Sequence, residues 1–379
     1  TVKISGATLA ADELCMLQSP PRPYKLRGRA CRSGHGLRRA YGLTDLPTIV
    51  SGDCLYLFDP AGSYLSSGWG DGAAPDRAVG KAYAFVGSDL PSRFADQFAA
   101  LPGVSSHSKF PGTLLRLPLR TPEQAAASSL ASRAWTCNDA RGIVADFAGR
   151  AGRSLVFSSF IESIRVSVWE GGAVSPTPLV FSRAVPRSPS DRRLADDIEW
   201  KNFKISSLFG SAASGKRKVY EIEVVSQGGA GEQPPTCDLY LVSANIGVGG
   251  ARELALSKQF SALMPLPLAA AALHVGRNGS PPEDLTRFGG LFAPVPVPRT
   301  MSMLGKLPVL LMGHFVLSPG GGLAGIEDQG GGEEAAAAAV EGDLERRWNV
   351  ELLVSAAAAL SDLCLSACSA LHPSPLLYS

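Results

Sequence analysis

The sequence predicts a mixed α+β protein, and three stretches support this prediction. Residues 218–225 alternate between apolar and polar side chains, which is typical of a half-buried β-strand. Apolar residues recur at helical spacing over residues 343–370, which predicts a long C-terminal helix. An alanine-rich segment follows Thr121, and Pro122 suits the first turn of a helix. Both kinds of element are therefore expected in this chain.

The individual elements are predicted in chain order from their local patterns. Strands are expected at residues 54–58 and 113–119, and helices at residues 124–133 and 138–150. Residues 154–169 are interpreted as two strands or one bent strand. The pattern is then mostly β, and loops rich in Gly, Ser and Pro join a meander of strands at residues 200–209, 218–225 and 238–246. The last helix has an apolar face made of Trp348, Leu352, Leu360, Leu363 and Leu371.

The composition predicts a folded, soluble chain of one large or two medium domains. Hydrophobic residues make up 45% of the 379 residues and charged residues 18%, which is too apolar for general disorder. The formal net charge of +2 points to no particular class of partner. Charged residues or prolines interrupt the two most apolar stretches, residues 254–275 and 350–371, so we expect no membrane span.

The cysteines and the N-terminus bear on where the protein works. The seven cysteines form no disulfide framework, which favours a reducing compartment and predicts a location in the cytoplasm or the nucleus. No signal peptide is visible. The chain begins at Thr1 without methionine, so we expect it to be part of a larger, multi-repeat chain.

Two glycines one residue apart, Gly34 and Gly36, precede a short segment that is compatible with a helix start. Glycine allows a close approach of the backbone, and the first amide groups of a helix attract phosphate. A Gly-x-Gly pair is weak evidence in a chain with 41 glycines, and an ordinary loop is the alternative.

A series of short motifs surrounds and follows these glycines in one unbroken order. The motifs are Gly34-His-Gly36, Ala40-Tyr41, Leu43-Thr44-Asp45-x-Pro47, Ser51-Gly52-Asp53, Phe58-Asp59-Pro60, Ala95-Asp-Gln-Phe98, FPGTLLRLPLR at residues 110–120, FIESI at residues 160–164, KLPVLLMGHFVLS at residues 306–318 and Glu345-Arg-Arg-Trp-Asn349. Over roughly residues 9–371 this order resembles the sacsin family of giant chaperone-like proteins.

The resemblance implies a fold and a nucleotide site for the first part of the chain. The first part of each sacsin repeat resembles the Bergerat ATPase fold of the GHKL group, which includes the ninety-kilodalton heat-shock chaperones. Gly34 and Gly36 match the glycine box of the phosphate lid, and Thr113 matches the threonine near the adenine. We expect Arg29 or Arg32 to add positive charge at the phosphates.

The resemblance also identifies what this sequence lacks as an ATPase. An intact site needs an upstream helix that carries a Glu base and an Asn ligand for magnesium, and this helix is expected before Thr1. At the place of the Asp-x-Gly turn the sequence reads Ile4-Ser5-Gly6-Ala7, without a carboxylate. Phosphoryl transfer needs metal, positioned water and charge stabilisation together. We therefore assign no catalytic residue and expect no cofactor in isolation, or ATP with magnesium if upstream sequence completes the site.

Two further patterns resemble a phosphate-binding loop and a zinc site. Residues 210–216 have the spacing of a Walker A loop, but Arg217 replaces the Ser or Thr ligand of magnesium and a strand pattern follows, so this segment is interpreted as a hairpin loop. Cys364, Cys368 and His372 recur every four residues on the last helix; they suit zinc or an ordinary core, and no fourth ligand is adjacent.

A basic run between residues 22 and 39 is either a solvated loop or a site for phosphates, nucleic acid or an acidic partner. The sequence as a whole divides into a partial Bergerat domain at residues 1–121, a β-rich middle domain at 122–319, a flexible Gly, Ala and acidic insertion at 320–342 and a C-terminal helix at 343–372.

Three functions follow from the sequence. The first is a sacsin-like chaperone or co-chaperone module that binds client or partner proteins with its own ATPase site incomplete. The second is a nucleotide-binding GHKL module that upstream sequence completes, and the third is a basic domain that binds nucleic acid or an acidic protein. The resemblance favours the first, and fold alone does not fix function.

Overall fold

The computed structural model describes most of the chain as two compact units. It describes residues 1–9, 23–26, 29–32, 39–65, 79–158, 161–170, 175–187, 215–229, 234–263, 266–281, 289–293, 295–297, 308–318, 322–326 and 336–370. One unit comprises Thr1–Leu26 and Cys31–Gly142, and the other comprises Arg27–Ala30 and Ile143–Ser379. The mixture of helices and sheets confirms the predicted α+β class.

The first unit is built on an antiparallel sheet of five strands. Its strands follow the order β1-β7-β4-β5-β6, and β2 and β3 form a separate two-stranded sheet. The strand bounds are β1 Val2–Ser5, β2 Pro23–Leu26, β3 Arg29–Arg32, β4 Thr48–Gly52, β5 Cys54–Asp59, β6 Val79–Ala84 and β7 Phe110–Arg116. The predicted strands at residues 54–58 and 113–119 are therefore present, but the second one both begins and ends three residues earlier than expected.

Short helices accompany this sheet, and a small apolar core lies against it. The helices are α1 Leu90–Arg93, α2 Ala95–Phe98 and α3 Pro122–Ala127, and the boundary between the two units falls within α4 Cys137–Ala148, after Gly142. Val50 and Leu114, from the central strands β4 and β7, are fully buried with Phe85, and Phe98 of α2 joins them. The core explains why apolar residues occupy these strand positions, because their burial stabilises the sheet.

The second unit is built on a mixed sheet of eight strands. Their order is β14-β13-β15-β12-β11-β10-β9-β8, and only β13 and β15 pair in parallel among the described strands. The bounds are α5 Ala151–Ser154, β8 Ser163–Val168, β9 Thr177–Pro186, β10 Lys216–Gly228, β11 Thr236–Ile246, α6 Gly250–Leu256, a 3₁₀ helix Lys258–Leu263, β12 Leu268–Arg277, β13 Gly290–Ala293, β14 Val295–Pro296, β15 Leu310–Gly313 and α7 Ala336–Ala370.

The middle of this sheet is unusually rich in small residues. Four consecutive alanines of β12, residues 269–272, are all buried. They pair with β15 in the register Ala269↔Gly313 to Ala272↔Leu310. Helix α7 buries Ala356 and Ala359 completely. Small side chains on both elements allow a helix to approach a sheet closely.

Two adjacent residues anchor α7 to the segment that follows β15. The indole Nε1 of Trp348 donates to the carbonyl oxygen of His314 at 3.0 Å. The Asn349 amide accepts from the N–H of Val316 at 2.8 Å, and its Nδ2 donates to the carbonyl oxygens of Val316 and Ala324. The motif Trp348-Asn349 therefore joins α7 to the residues 306–318 motif, which is distant in sequence.

The predicted pattern of the second unit is largely confirmed. Residues 138–150, 218–225 and 238–246 lie in α4, β10 and β11 apart from the last residues of the helix. Lys216 begins a strand, which excludes the helix that a Walker A loop requires. The strand predicted at residues 200–209 and the loop at 210–214 lie outside the described residues. Trp348, Leu352 and Leu363 of the predicted apolar face are fully buried.

Two predicted segments are wrong in part. The helix expected at residues 124–133 ends at Ala127, because Ser128 adopts an extended backbone and its hydroxyl donates to Asp45. In the region interpreted as strands at residues 154–169, Ser154 ends α5 and the strand begins at Ser163. The side-chain hydroxyl of Ser154 donates to the carbonyl of Arg150, which suits a helical turn.

The predicted flexible insertion at residues 320–342 is also wrong at both ends. Leu323 and Ala324 are buried, and the N–H of Ala324 donates to the carbonyl of Val316. Helix α7 begins at Ala336, seven residues before the expected start. Part of this segment is therefore packed structure, because the Asn349 amide holds Ala324 in place.

The C-terminal helix also meets the length and composition of a membrane span over Asp343–Ser366. A single helix of this kind is weak evidence, because a core helix of a soluble protein passes the same test. Its fully buried face includes Trp348, Leu352 and Leu363, which suits a core helix.

Candidate functional site

Thr113 on β7 lies directly beside the N-terminal strand. The register of the antiparallel pair places Ile4 opposite Thr113 and Ser5 opposite Gly112. A Cβ atom at Gly112 would collide with the carbonyl oxygen of Ile4, so the close approach of the strands requires glycine here. Gly6 follows in a left-handed turn with φ +75°. The structure therefore brings Thr113 next to the Ser5–Gly6 turn.

The hydroxyl of Thr113 belongs to a chain of hydrogen bonds that runs in one direction. Thr113 Oγ1 donates to the carbonyl of Ala7 at 2.8 Å, and it lies 3.1 Å from the hydroxyl of Ser51. Because Thr113 has one hydroxyl proton, Ser51 must be the donor in the second bond. The N–H of Leu9 donates to Ser51 Oγ at 2.7 Å. Thr113 and Ser51 are both buried.

This arrangement is a neutral site. The groups that meet Thr113 are a hydroxyl and backbone groups, and Ser5 provides no carboxylate. Magnesium prefers carboxylate and phosphate oxygens, so these residues do not fit a magnesium site. Among the residues that the structure describes, no group of three His, Cys, Asp or Glu side chains lies close enough to hold a metal ion.

The other predicted site residues are described less fully. Gly34 and Gly36 lie outside the described residues. Arg29 and Arg32 lie in β3, and their side chains lie outside the described part of the chain. Of the set Gly34, Gly36, Arg29, Arg32 and Thr113, the structure therefore locates the side chain of Thr113 only. Of the three candidate zinc ligands, the structure describes the side chain of Cys364 only, which is exposed. The Cys368 side chain and His372 lie outside the described part of the chain.

A buried ion pair joins Arg120 to Asp45, which lie 75 residues apart, and the sequence did not predict it. The guanidinium donates through Nε and Nη2 to the carboxylate, and through Nη1 and Nη2 to the carbonyls of Gly42, Arg133 and Tyr41. All five N–H donors of Arg120 thus have acceptors. We call these groups the Arg120 cluster.

Burial and hydrogen bonding act on the Asp45 carboxyl in opposite directions. Burial raises its pKa, but hydrogen bonds from Arg120 and Ser128 outweigh burial and hold the pKa below its usual range. The carboxylate is therefore ionised near neutral pH and balances the buried guanidinium. The motifs Leu-Thr-Asp and Leu-Pro-Leu-Arg carried the only signal of this pair in the sequence.

Trp135 also contacts the loop at residues 41–45. Its indole Nε1 donates to the carbonyl of Gly42 at 2.7 Å, and the Arg133 guanidinium lies 3.9 Å from the centre of its ring. The loop at residues 41–45 follows the glycine pair in the chain. Because all five N–H donors of Arg120 have acceptors and Arg120 and Ser128 both donate to Asp45, the cluster holds this loop in position.

A second paired cluster lies in the eight-stranded sheet. Asp238 Oδ1 lies 2.9 Å from Nε2 of His274 and 2.7 Å from Nε of Arg277. Burial raises the pKa of Asp238, but hydrogen bonds from His274 and Arg277 outweigh burial, so the net shift of this pKa is downward. The ring of Tyr240 contacts His274, and burial raises the pKa of the Tyr240 phenol. These contacts stabilise the sheet.

The structure is an α+β module. The Arg120 cluster holds the loop at residues 41–45, and strand β4 of the antiparallel sheet follows this loop. Residues 27–180 match the family model of the Sacsin domain. This part of the chain is therefore similar to the Sacsin domain, which is consistent with a repeat of the sacsin family. The match includes the Arg120 cluster, Thr113 and α4. No curated protein matches the chain.

Proposed function

We propose that this Sacsin-domain module binds client or partner proteins, as a chaperone or co-chaperone does, and does not turn over ATP by itself. The observation that supports binding is the apolar face of α4. Ile143 and Phe147 lie one helical turn apart and are 47% and 44% exposed. None of the twelve residues of this helix is buried.

Helix α4 owes its order to local contacts. Thr136 and Asp139 cap its N-terminus reciprocally: the N–H of Asp139 donates to Thr136 Oγ1, and the N–H and hydroxyl of Thr136 donate to Asp139 Oδ2. An ion pair joins Asp146 to Arg150 near its end. Helices of this length are marginal in water without a packed face. A partner that covers Ile143 and Phe147 would supply that packing.

The Thr113 site supports the ATP-independent part of the proposal. The single hydroxyl proton of Thr113 is already donated to Ala7, so Thr113 would have to give up this bond to donate to an adenine ring. No carboxylate is present at Ser5. Binding that uses the α4 face needs neither feature.

The experiment follows the aggregation of heat-denatured luciferase by light scattering, with and without the chain. We expect the chain to suppress aggregation and Phe147→Glu to remove most of that effect. Phe94→Glu is the matched control, since Phe94 is 47% exposed at the start of α2. A wild-type chain without effect, or equal losses in both variants, would overturn the proposal.

One observation favours the second candidate, a nucleotide-binding module that other sequence completes. The register places the Ser5–Gly6 turn beside Thr113, as the resemblance implies for the adenine end of such a site. Thermal unfolding with millimolar magnesium-ATP tests it, because binding to the folded state raises its stability. A rise in Tm that Gly36→Val abolishes would favour this candidate, whereas the main proposal expects no rise.

A further inference from the structure

Helix α7 has two apolar faces, although only one of them is covered. Its covered face is fully buried at Trp348, Leu352, Ala356, Ala359 and Leu363. The other face consists of Val350, Val354, Ala357, Ser361, Cys364 and Leu365, which we call the exposed stripe. Val350 is 41% exposed, Val354 55% and Leu365 72%. A helix that is apolar on all sides is normally buried on all sides.

The exposed stripe has the spacing of a helix-pairing seam. From Val350 its members follow at intervals of four, three, four and three residues as far as Cys364, and none of them is charged. This 4-3 spacing matches the a and d positions that meet in paired helices. The covered face shows that α7 packs on its own sheet through other residues. The stripe is therefore suited to a second helix.

The small and charged residues of α7 indicate which helix pairs with the exposed stripe and in which direction that helix runs. Ala357 and Ser361 lie in the middle of the stripe, where they allow two backbones to approach closely. Arg346 and Arg347 are exposed at its N-terminal end. In an antiparallel pair, these two arginines of one α7 lie near the C-terminal end of the other α7, where the helix dipole is negative. A parallel copy would place arginine against arginine.

We propose that the exposed stripe binds the exposed stripe of a second copy of this chain, with the two α7 helices antiparallel. In this pairing Ala357 lies opposite Ser361, and Val354 lies opposite Cys364. A single helix pair of this length buries less surface than a typical stable interface of roughly 1,600 Å². The dimer is therefore weak, with a dissociation constant in the micromolar range.

Sedimentation velocity over a range of concentrations tests the association. The wild-type mass is expected to rise from 39.6 kDa towards twice that value. Val354→Glu and Leu365→Glu are each expected to keep the chain monomeric, with at least a tenfold weaker association. Both positions are exposed, so these variants should fold, and circular dichroism checks this. Phe94→Glu, which changes an exposed residue at the start of α2, should associate like the wild type.

The orientation is tested by disulfide formation. Cys364 is an exposed free thiol. Under mild oxidation we expect Val354→Cys to form a covalent dimer that is lost when Cys364→Ser is added. In a parallel pair position 354 would face position 354, and the link would survive Cys364→Ser.

Three outcomes would overturn the proposal. They are a wild-type chain that remains monomeric at several hundred micromolar, glutamate variants that associate unchanged, and a crosslink that is independent of Cys364. A monomeric chain that binds neutral phosphatidylcholine vesicles through the stripe would also overturn it and assign the stripe to a membrane surface. The aggregation assay with Phe147→Glu tests a different surface, so each proposal can fail without the other.

Discussion

At the scale of single residues, Arg120 determines the local structure of the first unit. Its guanidinium joins Asp45 and three carbonyl groups that come from both sides of it in the chain. The same cluster explains why α3 stops at Ala127, since Ser128 turns its hydroxyl to Asp45. No local pattern could predict this, because the contact spans 75 residues and the helical pattern continues to Arg133.

Arg120→Leu should destabilise the chain strongly. The change leaves the Asp45 carboxylate buried without its partner, which costs about 3–5 kcal/mol in comparable ion pairs. Urea unfolding followed by circular dichroism measures the free energy of unfolding. Arg93→Leu, at an exposed position on α1, serves as the control and should change it by less than about 0.5 kcal/mol. Equal effects of the two variants would show that the cluster contributes little.

The pKa of Asp45 predicts an acid dependence of stability. Its folded pKa is lowered, so the folded state gains stability above the unfolded value of about 3.9 and loses it as the pH falls towards the folded pKa. For the wild type, we expect the urea concentration at the midpoint of unfolding to decrease when the pH drops below about 4. Asp45→Asn should be less stable at pH 7 and should show a smaller loss between pH 5 and pH 3. An identical slope for both would contradict this.

At the scale of elements, sequence patterns predict what depends on one-sided burial. Alternation identifies β10 and β11, and helical spacing identifies α7, because each has faces of different polarity. Neither pattern predicts β12, because its run of four alanines is buried on both faces and alanine favours a helix. The motif order predicts that Thr113 belongs to a site, but the hydrogen-bond chain to Ser51 and Ala7 requires the folded sheet.

The amide of Asn349 contributes to the docking of α7. Asn349→Ala would leave the N–H of Val316 and the carbonyl of Ala324 without their partner, while the carbonyl of Val316 keeps the N–H of Ala324. The cost is about 1–3 kcal/mol for each group that stays buried and unpaired. We expect faster hydrogen exchange at Val316 and in residues 322–326, measured by mass spectrometry. Asn138→Ala, at an exposed position on α4, is the control and should leave these amides unchanged. Unchanged exchange in Asn349→Ala would show that Trp348 alone anchors the helix.

At the scale of the whole molecule, the two proposals assign different surfaces to different tasks. In these proposals the face of α4 binds client or partner chains, and the exposed stripe of α7 binds a second copy. The first face lies within the region that matches the Sacsin domain, and the second lies beyond it. A dimer would present two α4 faces to one client, which raises the effective concentration of the second site.

The central proposal is that this chain binds non-native chains without ATP. Fluorescence titration of labelled, reduced and unfolded α-lactalbumin with the chain tests it directly, with and without magnesium-ATP. We predict one Kd under both conditions, and a Kd at least tenfold higher for Phe147→Glu. The account is contradicted if no binding occurs, or if binding occurs only when magnesium-ATP is present.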